Sequence, residues 1–362
     1  MNKGRVQAIE LMKAIAIIGM VFVHVLEGSL NSFDDNTWVL PGSIPYTLIE
    51  FIGGIPAAGV FTFAMGWGAA FSKNATVNSY LKRALKIGLL LFYVNLMYAI
   101  LPGLLNPEVF GRFSEHPWAI IGFNIYSYAS IFMLFFALMK KLQNNTKAKA
   151  AISIAAVAAI LIVDIAIAPE SFTTGNGWLD TLIGIFVREN HYSWFPLVPW
   201  GIFPIMGYWA AILYKKWDDS KKFALTNLVT GIVLTAISLI VIKTNEIPMA
   251  AANPGWVNEI DYYYLTIWNV VCAVGMICLE TALAFGIMAL TKNKLHPILA
   301  NMSHNVMEMF VAHWIFVGPM LAVLNKVTNV WVNALIGLIT LIATYFLVEA
   351  WNKFIKPKTA TK

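Results

Sequence analysis

Charge is scarce in this sequence. Asp, Glu, Lys and Arg make up 12% of its 362 residues, while 59% are hydrophobic. Soluble domains carry about a quarter charged residues, so the shortfall leaves too little polar surface to coat a particle in water. Cysteine is rarer still: only Cys272 and Cys278 are present, on one expected membrane helix and turned to different faces, and no disulfide or metal framework is implied. A carboxylate-rich or histidine-rich ligand set is also missing, so no metal is expected. Linkers, low-complexity tracts and internal repeats are absent too, which leaves one membrane domain over 1–362.

What is abundant is apolar sequence in long runs. Crossing about 30 Å of hydrocarbon takes about 20 residues at 1.5 Å rise per residue, and runs of that length recur along almost the whole chain. They are rich in Leu, Ala, Ile and Met without a period of two, and only helices or closed barrels satisfy their backbone in lipid. The expected fold is therefore all-α, a polytopic membrane bundle. About ten transmembrane helices are placed at 8–30, 44–72, 80–101, 117–140, 148–168, 195–214, 222–243, 263–290, 298–324 and 329–354. The apolar stretch from Trp178 to Val187 is too short to span and reads as a re-entrant or interfacial piece. The first run follows Lys3 and Arg5 without a small-residue cleavage site, and is read as a retained span.

Sorting the cations by loop gives the orientation, because positive charge is retained on the cytoplasmic side. With both termini inside, twenty Lys and Arg fall in cytoplasmic segments. Only Arg112, Arg188, Lys243 and Lys326 fall outside, along with most loop carboxylates, such as Asp34, Glu108 and Glu170. The expectation is N-in and C-in, in a plasma membrane such as the inner membrane of a bacterium. This asymmetry also accounts for the net charge of +6, so the basic balance does not call for a nucleic-acid partner.

Ionisable groups inside spans are the informative residues, since each costs about 2.5–3.5 kcal/mol at a helix centre on insertion scales. The first span carries Glu10, Lys13, His24 and Glu27. At 100° per residue Lys13 and His24 fall within about 20° of each other and about 16 Å apart along the axis. One face therefore reads as polar from end to end, a wet seam joining a cationic inner entrance to a deeper imidazole. Glu10 and Lys13, three apart, are also placed to pair or snorkel. An imidazole ordinarily titrates near neutrality, which makes His24 the default general base or nucleophile, although a lone membrane histidine can be purely structural. The ninth span carries Ser303, His304, Glu308 and His313 in NMSHNVMEMFVAHW. On a continuous helix His304 and His313 point in opposite directions, so only one is expected in a site. Gly and Pro interrupt GGIPAAGVFTFAMGWG at 53–68 and FPLVPWGIFPIMG at 195–207, which suits either close helix crossing or a binding crevice. Tryptophans such as Trp38, Trp118, Trp178, Trp194 and Trp256 sit where an interfacial belt is expected in any case.

The segment from Arg5 to His24, RVQAIELMKAIAIIGMVFVH, resembles the opening signature of the transmembrane acyltransferases. Lys13, ten intervening residues and His24 are similar to the acyltransferase-3 enzymes, with Lys13 and Ala14 where those have Arg and Gly. FTFAMGWGAAF at 61–71 with LKRALKIGLLLFYVN, WFPLVPWGIFPIMGYWAAILY at 194–214 and MSHNVMEMFVAHWI resemble more closely the branch containing heparan-α-glucosaminide N-acetyltransferase and its bacterial relatives. The last of these singles out His313.

The resemblance implies an acyl-CoA donor, acetyl-CoA foremost, reaching the protein from the cytoplasm, and a sugar or glycan acceptor on the other side. His24 is then the base or a transient acyl carrier, with His313 as a second polar group near the reacting centre. Glu10 positions Lys13, and Lys13, Lys82, Arg83 and Lys86 are expected to hold CoA phosphates. A proton-coupled secondary transporter using the same His and Glu residues is the alternative, and a non-catalytic scaffold leaves the polar face of the first span unexplained. The acceptor and the oligomeric state stay open, a homodimer included.

Overall fold

The computed structural model describes residues 6–30, 55–97, 101, 117–166, 174–187, 195–245, 247, 265–323 and 329–355. Among these residues every regular element is a helix. In chain order the α-helices are α1 (Gln7–Leu30), α2 (Ile55–Phe71), α3 (Val77–Asn95), α4 (Ile125–Lys141), α5 (Thr146–Ala166), the short α6 (Gly177–Ile183), α7 (Leu197–Trp200), α8 (Ile202–Trp217), α9 (Ser220–Thr244), α10 (Ile267–Leu290), α11 (Pro297–His304), α12 (Val306–Val323) and α13 (Val330–Ala350), with a 3₁₀ turn at Pro117–Ile121 and a π turn at Trp351–Ile355.

Helices occupy at least part of each of the ten expected stretches. Six segments are long and apolar enough to cross a membrane by length and composition: Gln7–Val25, Thr146–Ala166, Leu197–Trp217, Ser220–Thr244, Ile267–Leu290 and Trp331–Ile355. Ala57–Phe71 and Val306–Met320 are shorter apolar helices. Lys82, Arg83 and Lys86 keep α3 out of the first group. Large aliphatic side chains such as Ile165, Ile240, Leu283 and Leu290 face outward and are exposed. In water such a surface would drive association; in a bilayer it is the lipid-facing coat, and the protein is a multi-pass integral membrane protein. The apolar piece at 178–187 contains α6, which Asn176 caps by accepting from the Trp178 and Leu179 amides. At seven residues α6 is about 10 Å long and does not span.

Close helix crossings hold the bundle together. At the crossing of α2 and α8, a Cβ on Gly66 would strike the Pro204 carbonyl and one on Gly207 would strike the Phe63 carbonyl, so two backbones meet where only glycine fits. Asn124 ties α3 to α4. Its Oδ1 caps α4 by accepting from Tyr126 N and Ser127 N, and its Nδ2 donates to Asn95 Oδ1 at 3.0 Å. That cap fixes the start of α4, and with it Tyr126, beside α12. α1 runs through the middle of this arrangement, against α2, α10, α11, α12 and α13.

Candidate active site

α1 presents two polar clusters to the α11–α12 pair. In the first, Glu10 Oε2 accepts from Ser303 Oγ at 2.6 Å and pairs with Lys13 Nζ at 3.0 Å. Lys13 Nζ also donates to the Ser303 carbonyl at 3.4 Å, and His304 Nε2 stands 3.9 Å from Glu10 Oε2. Glu10 is only 7% exposed. A buried carboxylate is tolerable when it is paired and hydrogen-bonded, and here Lys13 and Ser303 do both.

The second cluster lies deeper along the same helix. His24 Nδ1 is 2.8 Å from His313 Nε2. The two ring planes differ by 15° with centroids 5.1 Å apart, so the imidazoles meet edge to edge, as an in-plane hydrogen bond requires. One nitrogen must carry the proton and the other accept it. His313 is fully buried, and its Nδ1 faces the carbonyls of Met309 and Phe310 on the preceding turn without closing a full hydrogen bond to either. A proton on that Nδ1 is the arrangement these carbonyls favour. It leaves His313 Nε2 as the acceptor, His24 Nδ1–H as the donor, and the lone pair of His24 Nε2 without a role in the pair. Aromatic rings wall the site: Trp314 is 4.8 Å and Phe310 6.4 Å from the His24 ring, centroid to centroid, and Tyr126 stands edge-on to Phe310 at 5.1 Å.

The continuous polar seam expected along α1 is not there. Between Lys13 and His24 the same face carries Ile17, Met20 and Val21, all buried. Ile17 packs with Met302, Met309, Ala312 and Val348, an apolar belt between the two clusters. Lys13 and His24 share one arc of α1 with these aliphatic residues, whose burial closes it.

His304 and His313 both approach α1 but meet different partners, Glu10 and His24, and of the two it is His313 that stands at the deep pair. An unbroken helix would point the two in opposite directions, but the chain leaves helical geometry at Asn305 (φ −107, ψ 30), which ends α11. An amide network fixes that point. Asn305 Nδ2 donates to Asn301 Oδ1 at 2.6 Å, Asn352 Nδ2 to Asn305 Oδ1 at 2.9 Å, and Asn301 Nδ2 to Glu349 Oε1 at 2.6 Å. Two partners come from the far end of the chain, and nothing near residue 305 in the sequence announces the break.

Lys82, Arg83 and Lys86 are exposed on α3 beside the exposed Leu81, Leu85 and Leu89. α3 packs chiefly on α4, and these cations are not gathered with Lys13. The side chain of Glu27 and the outer tryptophans Trp38, Trp194 and Trp256 lie outside the described residues. Among the described residues no group of three or more His, Cys, Asp or Glu could hold a metal ion.

Chemically, the deep cluster is an imidazole with one nitrogen engaged by a second, buried imidazole, inside an aromatic shell. Such a pair, with His24 partly buried and His313 fully buried, suits proton abstraction. A family model described as an acyltransferase domain matches residues 6–349. No curated protein matches the chain.

Proposed function

Because the chain belongs to the acyltransferase-3 family of membrane acyltransferases, we propose that it transfers an acetyl group from acetyl-CoA to a hydroxyl or amine of a sugar or glycan. Donor and acceptor meet from opposite sides of the bilayer, the donor from the cytoplasm. The observation that carries this reading is the 2.8 Å contact between His24 and His313. With His24 Nδ1–H given to His313, His24 Nε2 takes the proton from the acceptor as its oxygen or nitrogen attacks the thioester carbonyl. The carbon–sulfur bond then breaks, and the imidazolium returns the proton to the departing thiolate. His313 holds the tautomer and the ring plane, the part an orienting partner plays for a catalytic histidine. Were His24 instead acylated in passing, acetyl label would remain on the protein when the acceptor is withheld. The choice of acetyl and of a sugar acceptor follows the resemblance of residues 61–71 and 194–214 to the heparan-α-glucosaminide N-acetyltransferase branch.

The belt around Ile17 separates the Lys13 cluster from His24. Closed, it keeps water from the thioester, which acyl transfer to anything other than water requires. Met302 and Met309, being unbranched and adaptable, are the belt members best able to move aside. The charge of Lys13 is already matched by Glu10 at 3.0 Å. Lys82, Arg83 and Lys86, beside lipid-facing leucines, suit snorkelling to the headgroups.

The carrier alternative uses the same side chains for a different outcome, and one experiment separates the two. Purified protein is incubated with labelled acetyl-CoA and a panel of sugars, and proteoliposomes are tested for uptake of the same sugars. Label appearing on a sugar supports transfer; uptake of unmodified sugar without acetylation would replace it with transport.

A further inference from the structure

Away from the histidines, a cavity of about 320 Å³ opens where the C-terminal ends of α2 and α4 meet the N-terminal ends of α3 and α5. Its floor is made by Tyr80, Phe136 and Tyr208, all buried, and its mouth by Ser72, Lys140, Gln143 and Lys149. Among the described residues the lining holds two cations and no carboxylate, and neither Lys140 nor Lys149 has an ion-pair partner. Lys140 Nζ spends one donor on the Lys73 carbonyl at 3.2 Å. Lys215, at the end of α8, donates to the carbonyl of Ala70, another lining residue. Lys140 and Lys149 stand close enough to repel each other, as do Lys73 and Lys215.

Retention of positive charge on one side of a membrane explains why lysines are frequent here, but not how these are placed. Lys141 and Lys147, beside them in sequence, are exposed, whereas Lys140 and Lys149 are partly buried around the cavity. Lys149 also lies in the first turn of α5, where a cation opposes the helix dipole. Like charges drawn together, partly desolvated and set against a positive helix end carry an electrostatic cost that a bound anion removes. Lysine serves phosphate as a point charge, and the side-chain amide of Gln143 and hydroxyl of Ser72 add neutral donors. The cavity is larger than inorganic phosphate needs and has an apolar floor, which suits a phosphate group attached to an organic body. From Lys140 the α4 helix leads to Tyr126 beside the histidine site, about 21 Å at 1.5 Å per residue; an extended pantetheine arm covers a distance of that order.

We propose that this cavity binds the phosphates of a soluble organic phosphate, namely the nucleotide end of the CoA thioester. The identity of the ligand as CoA rests on the acyl-transfer reading above; the phosphate site itself does not. The test uses full-length protein in phosphatidylcholine nanodiscs, titrated with free CoA and with ADP, and competed with inorganic phosphate. Both ligands should bind, and Lys140→Gln/Lys149→Gln should weaken them about tenfold or more, as loss of charge-assisted contacts to phosphate implies. Lys140→Arg/Lys149→Arg and His24→Ala should bind as the parent does, which shows that the fold and the charge are what matter. Unchanged affinity in the Gln variant would overturn the proposal. So would failure of CoA and ADP to bind while phosphatidylglycerol is retained through delipidation in a lysine-dependent manner, which would assign the cavity to a lipid headgroup. If CoA binds in a lysine-dependent way but no acceptor is ever acylated, the acyl-transfer reading fails and the site stands. If transfer proceeds with an unchanged donor KM in the Gln variant, the site fails and the acyl-transfer reading stands.

Discussion

Replacing His313 with Phe keeps most of the ring volume at a fully buried position and removes the nitrogen that accepts from His24. In the structure that nitrogen is 2.8 Å from His24 Nδ1, and of the walling rings Phe310 has no polar atom and the Trp314 indole N–H only donates, so neither ring can accept in its place. The His24 N–H is left unsatisfied, at a cost of about 1–3 kcal/mol. If that cost falls on the transition state, where the imidazole becomes a cation, it corresponds to a fall of about 5- to 150-fold in kcat. The donor KM should stay near the parent value, because the cavity proposed for the CoA phosphates, at Lys140 and Lys149, lies about 21 Å along α4 from the histidine site. His313→Gln, which restores a hydrogen-bonding group, should recover part of the loss. The assay is steady-state acetylation by purified protein, with thermal stability measured in parallel. Since the two residues act as a unit, His24→Ala/His313→Phe should be no slower than His24→Ala alone. Full activity in His313→Phe, or independent multiplicative losses in the double variant, would refute the coupling of the two rings.

Three further outcomes are expected. Ile17→Ser should wet the belt between Lys13 and His24 and raise acetyl-CoA hydrolysis in the absence of acceptor; an unchanged hydrolysis rate would mean that Ile17 excludes no water. Lys13→Met should destabilise the protein by about 1–3 kcal/mol by leaving the Glu10 carboxylate buried without its counter-ion, and Glu10→Gln/Lys13→Met should regain most of that in denaturation experiments. Gly207→Ala should cost about 1–3 kcal/mol or more through overpacking, because the new methyl meets the Phe63 backbone. A melting temperature equal to the parent would show that α2 and α8 separate freely.

Some of this was legible in the sequence and some was not, for physical reasons that differ by residue. The all-helical membrane class follows from apolar run length, which depends on nothing beyond the local sequence. His24 stands out because an imidazole in an aliphatic span is costly wherever the helix points. The choice between His304 and His313 needed the path of the helix, and that path is set at Asn305 by Asn352 from the end of the chain. The apolar belt was present in the letters, since Ile17 shares the arc of Lys13 and His24, but burial by Met302, Met309 and Val348 comes from other helices. The lysine-rimmed cavity draws on five helices, so no local pattern marks it. In the case of α3, its three cations are marked by the sequence as candidates for phosphate, but their exposure beside Leu85 and Leu89 is a property of the packed helix that the letters do not carry.

The most direct measurement is acceptor-dependent release of the CoA thiol, followed with a chromogenic thiol reagent on purified protein. The protein's own Cys272 and Cys278 are buried, which keeps the background low. The parent should release thiol on addition of acceptor, and His24→Ala, inserted and folded as the parent is, should lose this by about 10²–10⁴-fold, the range a general base supplies. Thiol release in His24→Ala at the parent rate would contradict the account.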